Sequence, residues 1–133
     1  MSWRGTEGGI AAAKQKHFVV MSPGSHCYFD HYQGEPKNEP IAFGGYTNVE
    51  KVYSFNPIPK ELSEEESKYI LGAQANVWTE YINTPEHVEY MVFPRMIAMS
   101  EVVWSNPENK NYEGFILRLE NFHKRFQIST KNV

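Results

Sequence analysis

The chain has 133 residues, a net charge of −3, and a composition that is 41% hydrophobic and 22% charged. This length predicts one domain, and the balance of apolar and charged residues is that of a folded protein rather than a disordered one. The small negative charge gives no basic surface to attract nucleic acid. The single cysteine excludes an intrachain disulfide. No apolar run approaches the ~20 residues of a membrane helix.

The first third of the chain has the pattern strand, helix, strand. Residues 1–3 are too few to assign by pattern alone, but they lead into a glycine-rich turn, and strong helix formers follow at 10–16. The apolar run 18–21 predicts a buried strand that stops at Ser22-Pro23-Gly24. The segment 25–43 predicts a long irregular loop, and loops of this length are often functional.

The middle of the chain predicts a helix, a capped turn and a further strand. A helix fits residues 46–55, and it ends where Pro57 biases the preceding residue away from the helical region. The sequence of 63–66 is a capping box that opens a short turn. The run 70–78 then has the apolar character of a strand, with small residues where packing is tight.

The last third predicts helices. Thr84 followed by Pro85 is a strong helix start, and apolar residues recur at helical spacing as far as Trp104, with a kink at Pro94. Trp104 at the end of this helix is expected to have a packing role. A final helix covers 112–126, and the order β-α-β-loop-α-β-α-α predicts part of an α/β protein with parallel strands and open sheet edges.

Aromatic and acidic side chains follow each of the three predicted strands. If the strands are parallel, these groups converge at one carboxyl edge, which is where ligands bind in barrels and in open α/β sheets. Ring faces cover the apolar C–H surface of a sugar, and carboxylates accept hydrogen bonds from its hydroxyls. The groups at these strand ends are the glycine-rich turn after Trp3, the run Tyr28-Phe29-Asp30, and the run Thr79-Glu80-Tyr81 after Trp78.

Five segments in chain order resemble the last part of the catalytic barrel of family 20 β-N-acetylhexosaminidases. They are MSWRGTEGG, VVMSPGSHCYFD, GGYTNVEKVYSFNP, LGAQANVWTEYI and YMVFPRMIAMSEVVWS. The most specific pieces are Tyr28-x-Asp30 and Trp78-x-Glu80. The resemblance implies an α/β fold, a partial TIM barrel of about the last three of eight βα units, with parallel strands and a C-terminal helix. Residues 1–133 would then be a C-terminal fragment of the catalytic barrel.

The resemblance also implies an activity, the hydrolysis of terminal N-acetylglucosamine or N-acetylgalactosamine from glycans without a cofactor. In this family the 2-acetamido oxygen of the substrate attacks the anomeric carbon, so retaining catalysis needs no enzyme nucleophile. Tyr28 would be the catalytic residue that hydrogen-bonds this oxygen as the oxazolinium forms. Trp3 and Trp78 would wall the acetamido pocket, and Asp30 and Glu80 would accept hydrogen bonds from the sugar 6- and 4-hydroxyls.

Plainer interpretations of single residues stay open at this point. Trp3 could close a barrel end, and Asp30 could make a local turn hydrogen bond. His26 and His31 flank the Tyr28-x-Asp30 motif, but no third ligand at a suitable spacing accompanies them, which argues against a metal site.

The chain departs from the family pattern at the chemical step. The family uses an adjacent Asp-Glu pair, whose Glu protonates the leaving oxygen, and no Asp-Glu dipeptide occurs in these 133 residues. We therefore expect the isolated chain to be inactive. Two alternatives stay open, a non-hydrolytic binding module for N-acetyl sugars and a structural fragment that folds by self-association, most simply as a homodimer.

Two charged residues in the helix after the second motif are expected to be structural. Arg95 and Glu101 are six residues apart, so they do not share one helix face. Their partners are therefore expected on other elements.

Overall fold

The structure, a computed structural model, describes residues 1–126, and residues 127–133 of the predicted unit lie outside this range. The helices and strands are α1 (Glu7–Lys14), β1 (Val19–Met21), α2 (Gly24–Cys27), α3 (Val49–Ser54), α4 (Glu64–Ser67), β2 (Ile70–Ala73), α5 (Pro85–Val92), α6 (Arg95–Trp104) and α7 (Tyr112–Phe126). Two 3-10 turns, Pro36–Asn38 and Pro107–Asn109, lie in loops. Within the described range, no helix has the length and apolar character needed to span a membrane.

The sheet is parallel, as the sequence predicts. β1 and β2 run side by side, with Val19 opposite Ile70 and Met21 opposite Ala73. Ser2 pairs in parallel with Met21 as an isolated bridge. Because the hydrogen bonds to Ser2 and to β2 use alternate backbone groups of β1, the first segment lies on the opposite side of β1 from β2.

The second strand is shorter than the predicted strand 70–78, because its backbone is irregular. Leu71 has no partner in the register with β1, and Gly72 takes a φ of 139°. An unpaired residue of this kind is a bulge, and glycine tolerates the backbone conformation that the bulge requires. The strand ends at Ala73, and the chain pairs again in parallel only at Asn76.

The hydrophobic core lies between the sheet and the longer helices. α1 packs on β1, and α3 packs on α6. Phe115 and Leu119 of α7 are each 1% exposed, so this helix contributes to the core. The other large apolar side chains with almost no exposure are Met21, Phe29, Val52 and Met91.

Two predicted helices have different limits in the structure. The helix predicted for 46–55 begins at Val49, because the Asn48 side chain accepts a hydrogen bond from the N–H of Lys51 at 2.9 Å and caps the first turn. The helix predicted to kink at Pro94 is instead two helices, α5 and α6. Proline lacks the N–H that would continue the hydrogen-bond pattern, and its ring clashes with the preceding turn, which explains the break.

Two aromatic side chains that the sequence predicted to be packed or buried are exposed. Trp104 is 89% exposed at the last position of α6, so the expectation that it packs is wrong for this chain. Phe18 is 71% exposed, because it precedes the first paired residue of β1, and its ring lies against Tyr69 at a centroid distance of 5.6 Å.

Candidate functional site

Three parallel segments end at the same edge of the sheet, and the predicted site residues follow them. The N–H of Gly24 donates to the carbonyl of Trp3 at 2.9 Å, which ties the first segment to the turn after β1. The N–H of Phe29 donates to the carbonyl of Asn76 at 2.8 Å, which ties the loop after α2 to the chain beyond β2. The aromatic residues that follow these joined segments are Trp3, Tyr28 and Trp78.

A network of neutral side chains, buried at Ser22 and Asn76, holds this edge together. Ser22 is fully buried, and its hydroxyl donates to the Gln74 carbonyl at 2.8 Å. The Asn76 carboxamide donates to the Ser22 hydroxyl at 2.6 Å and accepts from the Gln74 carboxamide at 2.8 Å. Sequence reasoning missed this network, although an asparagine inside the apolar run 70–78 signals a buried polar role, since such groups are paired when buried.

Tyr28 is half-buried beside a histidine that burial keeps neutral. The ring centroids of Tyr28 and His31 are 5.6 Å apart, and His31 Nδ1 lies 3.1 Å from Thr47 Oγ1. Burial lowers the pKa of His31, so the imidazole is uncharged at neutral pH. Thr47 is fully buried and was not among the predicted site residues, because it lies outside both motifs.

Asp30 is a buried carboxylate with one oxygen that has no hydrogen-bond partner. Its side chain is 3% exposed, and Oδ1 has no partner. Burial raises the pKa of this carboxyl and the nearby charge of Glu80 raises it too, whereas a hydrogen bond from the backbone N–H of Asp30 itself and the charges of His31 and Arg95 lower it. The two predicted carboxylates therefore lie close enough to influence each other, and Asp30 keeps a free Oδ1 in addition to its local backbone contact.

The remaining predicted residues present open surface. Trp3 is 47% exposed and Trp78 is 50% exposed, and the Glu80 side chain is exposed as well. The Arg4 guanidinium carbon lies 4.9 Å from the centroid of the Trp3 ring. Trp3 therefore does not act as a buried plug within this chain, and both indole rings are accessible to a ligand.

Arg95 and Glu101 have partners on other elements, as predicted. Glu101 accepts a hydrogen bond from the Tyr53 hydroxyl at 2.9 Å and forms an ion pair with Arg118, which joins α3, α6 and α7. Arg95 is fully buried, and its guanidinium donates to backbone carbonyls that include those on both sides of Asp30.

The chemistry available at this edge is that of rings, a phenol and carboxylates. Cys27 is buried, and burial raises the pKa of its thiol to about 12, so it carries no nucleophilic role. Among residues 1–126, no three His, Cys, Asp or Glu side chains are grouped so that they could hold a metal ion. Exposed indole rings and carboxylates that follow strands of one sheet are groups that suit a ligand with both apolar C–H faces and hydroxyl groups.

Comparison with known proteins identifies the family. The sequence profile of the glycosyl hydrolase family 20 catalytic domain matches residues 1–107. The chain belongs to this family. The β-hexosaminidase of Porphyromonas gingivalis is 51% identical over 122 residues, which are 91% of this chain and 16% of that relative.

Solved structures of family 20 proteins share the fold. The exo-β-N-acetylglucosaminidase of Vibrio harveyi, in an inactive mutant form, superposes with a TM-score of 0.87 at 29% identity over 96% of this chain and 20% of its own. The chitobiase of Flavobacterium johnsoniae gives a TM-score of 0.70 at 31% identity over 98% of this chain and 19% of its own. The chain thus has the fold of part of the family 20 TIM barrel, and it spans about a fifth or less of the length of these relatives.

Proposed function

We propose that this chain forms the sugar-binding part of a β-N-acetylhexosaminidase barrel and holds the terminal N-acetylglucosamine or N-acetylgalactosamine of a glycan. The observation that carries the proposal is the buried Asp30 carboxylate, whose Oδ1 has no partner, next to Glu80 at the strand edge. A sugar hydroxyl is a donor that satisfies such an oxygen, and hydrogen bonds to charged groups are among the stronger ones in proteins. A related enzyme from Vibrio harveyi was solved in complex with N-acetylglucosamine.

The proposed roles follow the family mechanism. Tyr28 donates a hydrogen bond to the 2-acetamido oxygen and stabilises the charge that develops as this oxygen attacks the anomeric carbon. Trp3 and Trp78 enclose the acetamido group and keep its oxygen near the reacting carbon. Asp30 and Glu80 orient the sugar ring through its 6- and 4-hydroxyls.

We predict that the 133-residue chain does not hydrolyse N-acetylhexosaminides. Its only aspartate is Asp30, so it contains no Asp-Glu pair to protonate the leaving oxygen and orient the acetamide. General acid catalysis alone contributes about 10²–10⁴-fold. The measurement is release of the chromophore from a chromogenic N-acetylglucosaminide by the purified chain, and a Glu80→Ala variant is the control. Turnover that survives in this variant would mean that an acid elsewhere in the chain drives the reaction.

Sugar binding tests the proposal directly. We expect the Trp78→Ala variant to bind N-acetylglucosamine about tenfold more weakly in calorimetric titration, because it loses an aromatic contact with the sugar. The matched control is Trp104→Ala, which removes an equally large exposed ring at the end of α6. Equal losses in both variants would contradict the proposed pocket.

The two alternatives are outcomes of the same titration. Binding without hydrolysis is expected both for a part of a catalytic barrel and for a non-hydrolytic binding module. Fusing the chain to the segment of a relative that carries the Asp-Glu pair separates the two, because turnover is expected to return only for a part of a catalytic barrel. A chain that binds no N-acetyl sugar at millimolar concentration would instead be a structural fragment.

A further inference from the structure

Arg95 is a buried charged residue, and hydrogen bonds must offset the free-energy cost of removing its charge from water. It is the first residue of α6, and its side chain has no solvent exposure. A buried guanidinium is tolerated only where its donors are paired, and arginine carries five N–H donors in a rigid fork. The hydrogen-bond partners of these donors therefore show which segments of the chain Arg95 connects.

All five donors are used on backbone carbonyls. Nε donates to the Met91 carbonyl at 3.0 Å, and Nη1 donates to the carbonyls of His31 at 3.0 Å and Thr47 at 2.9 Å. Nη2 donates to the carbonyls of Phe29 and Met91. A single side chain thus joins the end of α5, the segment before α3 and the loop that carries the Tyr28-x-Asp30 motif.

The contacts to this loop lie on both sides of Asp30. Phe29 precedes Asp30 and His31 follows it, and both give their carbonyls to the guanidinium. The guanidinium carbon also lies 4.9 Å from the centroid of the buried Phe29 ring, a cation–π contact. The backbone of Asp30 is therefore held from its two neighbours.

The Asp30 carboxylate itself is left out of these bonds. No ion pair of Arg95 with a carboxylate occurs within residues 1–126, and Asp30 Oδ1 has no hydrogen-bond partner. Burial lowers the pKa of Arg95 to about 9, so the guanidinium stays protonated at neutral pH and its charge favours the ionised form of Asp30.

We propose that Arg95 is a positioning residue, which fixes the Tyr28-x-Asp30 turn through the Phe29 and His31 carbonyls and leaves the Asp30 carboxylate free for a sugar hydroxyl. The part that concerns the sugar rests on the proposed function. Lysine could not replace arginine here, because its ammonium has three donors and no planar fork to reach carbonyls on three segments.

The test compares Arg95→Lys with a control variant, Leu119→Ala, which weakens the core in α7 without touching the loop. Asp30 is the only aspartate, so ¹³C-labelled aspartate gives a single side-chain carboxyl signal that reports on this turn. In Arg95→Lys we expect the carboxyl signal to shift and broaden, and the affinity for N-acetylglucosamine to fall about tenfold or more, since paired carbonyls lose their donors. Leu119→Ala is expected to lower the melting temperature while both readouts stay as in the parent chain.

The outcomes separate this inference from the proposed function. If Arg95→Lys keeps the parent carboxyl signal, the positioning role is overturned, whether or not the chain binds sugar. If the parent chain binds no sugar while Arg95→Lys still changes the carboxyl signal, the positioning role stands and the proposed function fails. A changed signal with unchanged affinity would overturn the link between Arg95 and sugar binding.

A second measurement covers the case in which Arg95→Lys does not fold. In the unaltered chain, the N–H of Phe29 donates to the Asn76 carbonyl at 2.8 Å. The N–H of Thr47 donates to the Tyr32 carbonyl, also at 2.8 Å. If the guanidinium holds this region, these amides and the Arg95 Nε–H are expected to have similar protection factors in native-state hydrogen exchange, each taken relative to the intrinsic exchange rate of its own kind of N–H group. Amide protection factors about tenfold or more below that of the Nε–H would show that the loop opens while the guanidinium stays bonded, which overturns the proposal.

Discussion

Asp30 carries its charge in surroundings that disfavour it. Burial raises its pKa, so the folded chain binds this proton more tightly than the unfolded chain. Ionised Asp30 therefore costs stability at neutral pH, and this cost disappears as the pH falls below the ordinary range of aspartate. We expect Asp30→Asn to raise the melting temperature at pH 7 but not in strong acid.

The Asp30→Asn variant should also bind N-acetylglucosamine more weakly at pH 7, although it is more stable at that pH. Asparagine offers a neutral acceptor in place of a charged one, so the affinity for N-acetylglucosamine is expected to fall about tenfold. Thermal melts at the two pH values and calorimetric titration measure both effects, with Glu120→Gln on the exposed side of α7 as the control. An unchanged melting temperature at pH 7 would mean that the charge is better solvated than its burial indicates.

The site residues differ in how far sequence could predict them. Trp78 and Glu80 lie at the end of the strand predicted for 70–78, so the rule that ligands bind at strand ends selects them from local pattern, although β2 itself ends at Ala73. The hydrogen bonds of Arg95 were not predictable in this way, because the His31 carbonyl lies 64 positions away in sequence. Asn76 was likewise read as part of an apolar strand, and only the packed edge gives its carboxamide a partner.

Helix starts were predicted correctly where the capping residues and the turn they cap are close in sequence. Ser63 and Glu66 form the predicted capping box, and Thr84 caps α5 with Pro85 at the first position. Strand length was not predictable in the same way. The bulge at Leu71 depends on the register with β1, which is a tertiary property, and this is why the predicted strand 70–78 is too long.

The cap of α3 offers a test at the level of a single element. Asn48 accepts a hydrogen bond from the N–H of Lys51, and α3 packs on α6 in the core. We expect Asn48→Ala to lower the free energy of unfolding by about 1 kcal/mol, the usual effect of losing an N-cap. Urea denaturation measures this, and Asn109→Ala at an exposed loop position is expected to change it by less than about 0.5 kcal/mol. Similar effects in the two variants would contradict a capping role.

The whole molecule exposes apolar surface that a closed barrel would cover. A TIM barrel pairs every strand with two neighbours, whereas β1 is the one strand paired with β2 among residues 1–126, and Leu71 in the bulge of β2 is 65% exposed. Phe18 lies exposed at the start of the neighbouring strand. We propose that a second copy of the chain covers this face, since large apolar patches are uncommon on soluble monomers.

Self-association is expected at micromolar concentration and is measured by sedimentation velocity. Leu71→Lys should return the chain to a monomer, because a lysine at a sheet edge blocks further pairing. Ile41→Lys is the matched control, since Ile41 is 64% exposed on the long loop. A parent chain that sediments as a monomer throughout would show that this face needs no cover.

The neutral network of Ser22, Gln74 and Asn76 has a consequence for how the chain responds to acid. Hydroxyl and carboxamide groups do not gain or lose protons in ordinary solution, so the junction that brings the strand ends together keeps its hydrogen bonds as the pH falls. Asp30, by contrast, takes up a proton above the usual range of its side chain. Acidification should thus remove the charged acceptor and leave this junction intact. If Asp30 binds a sugar hydroxyl as proposed, affinity for the sugar is expected to fall on acidification and to recover when the acid is neutralised.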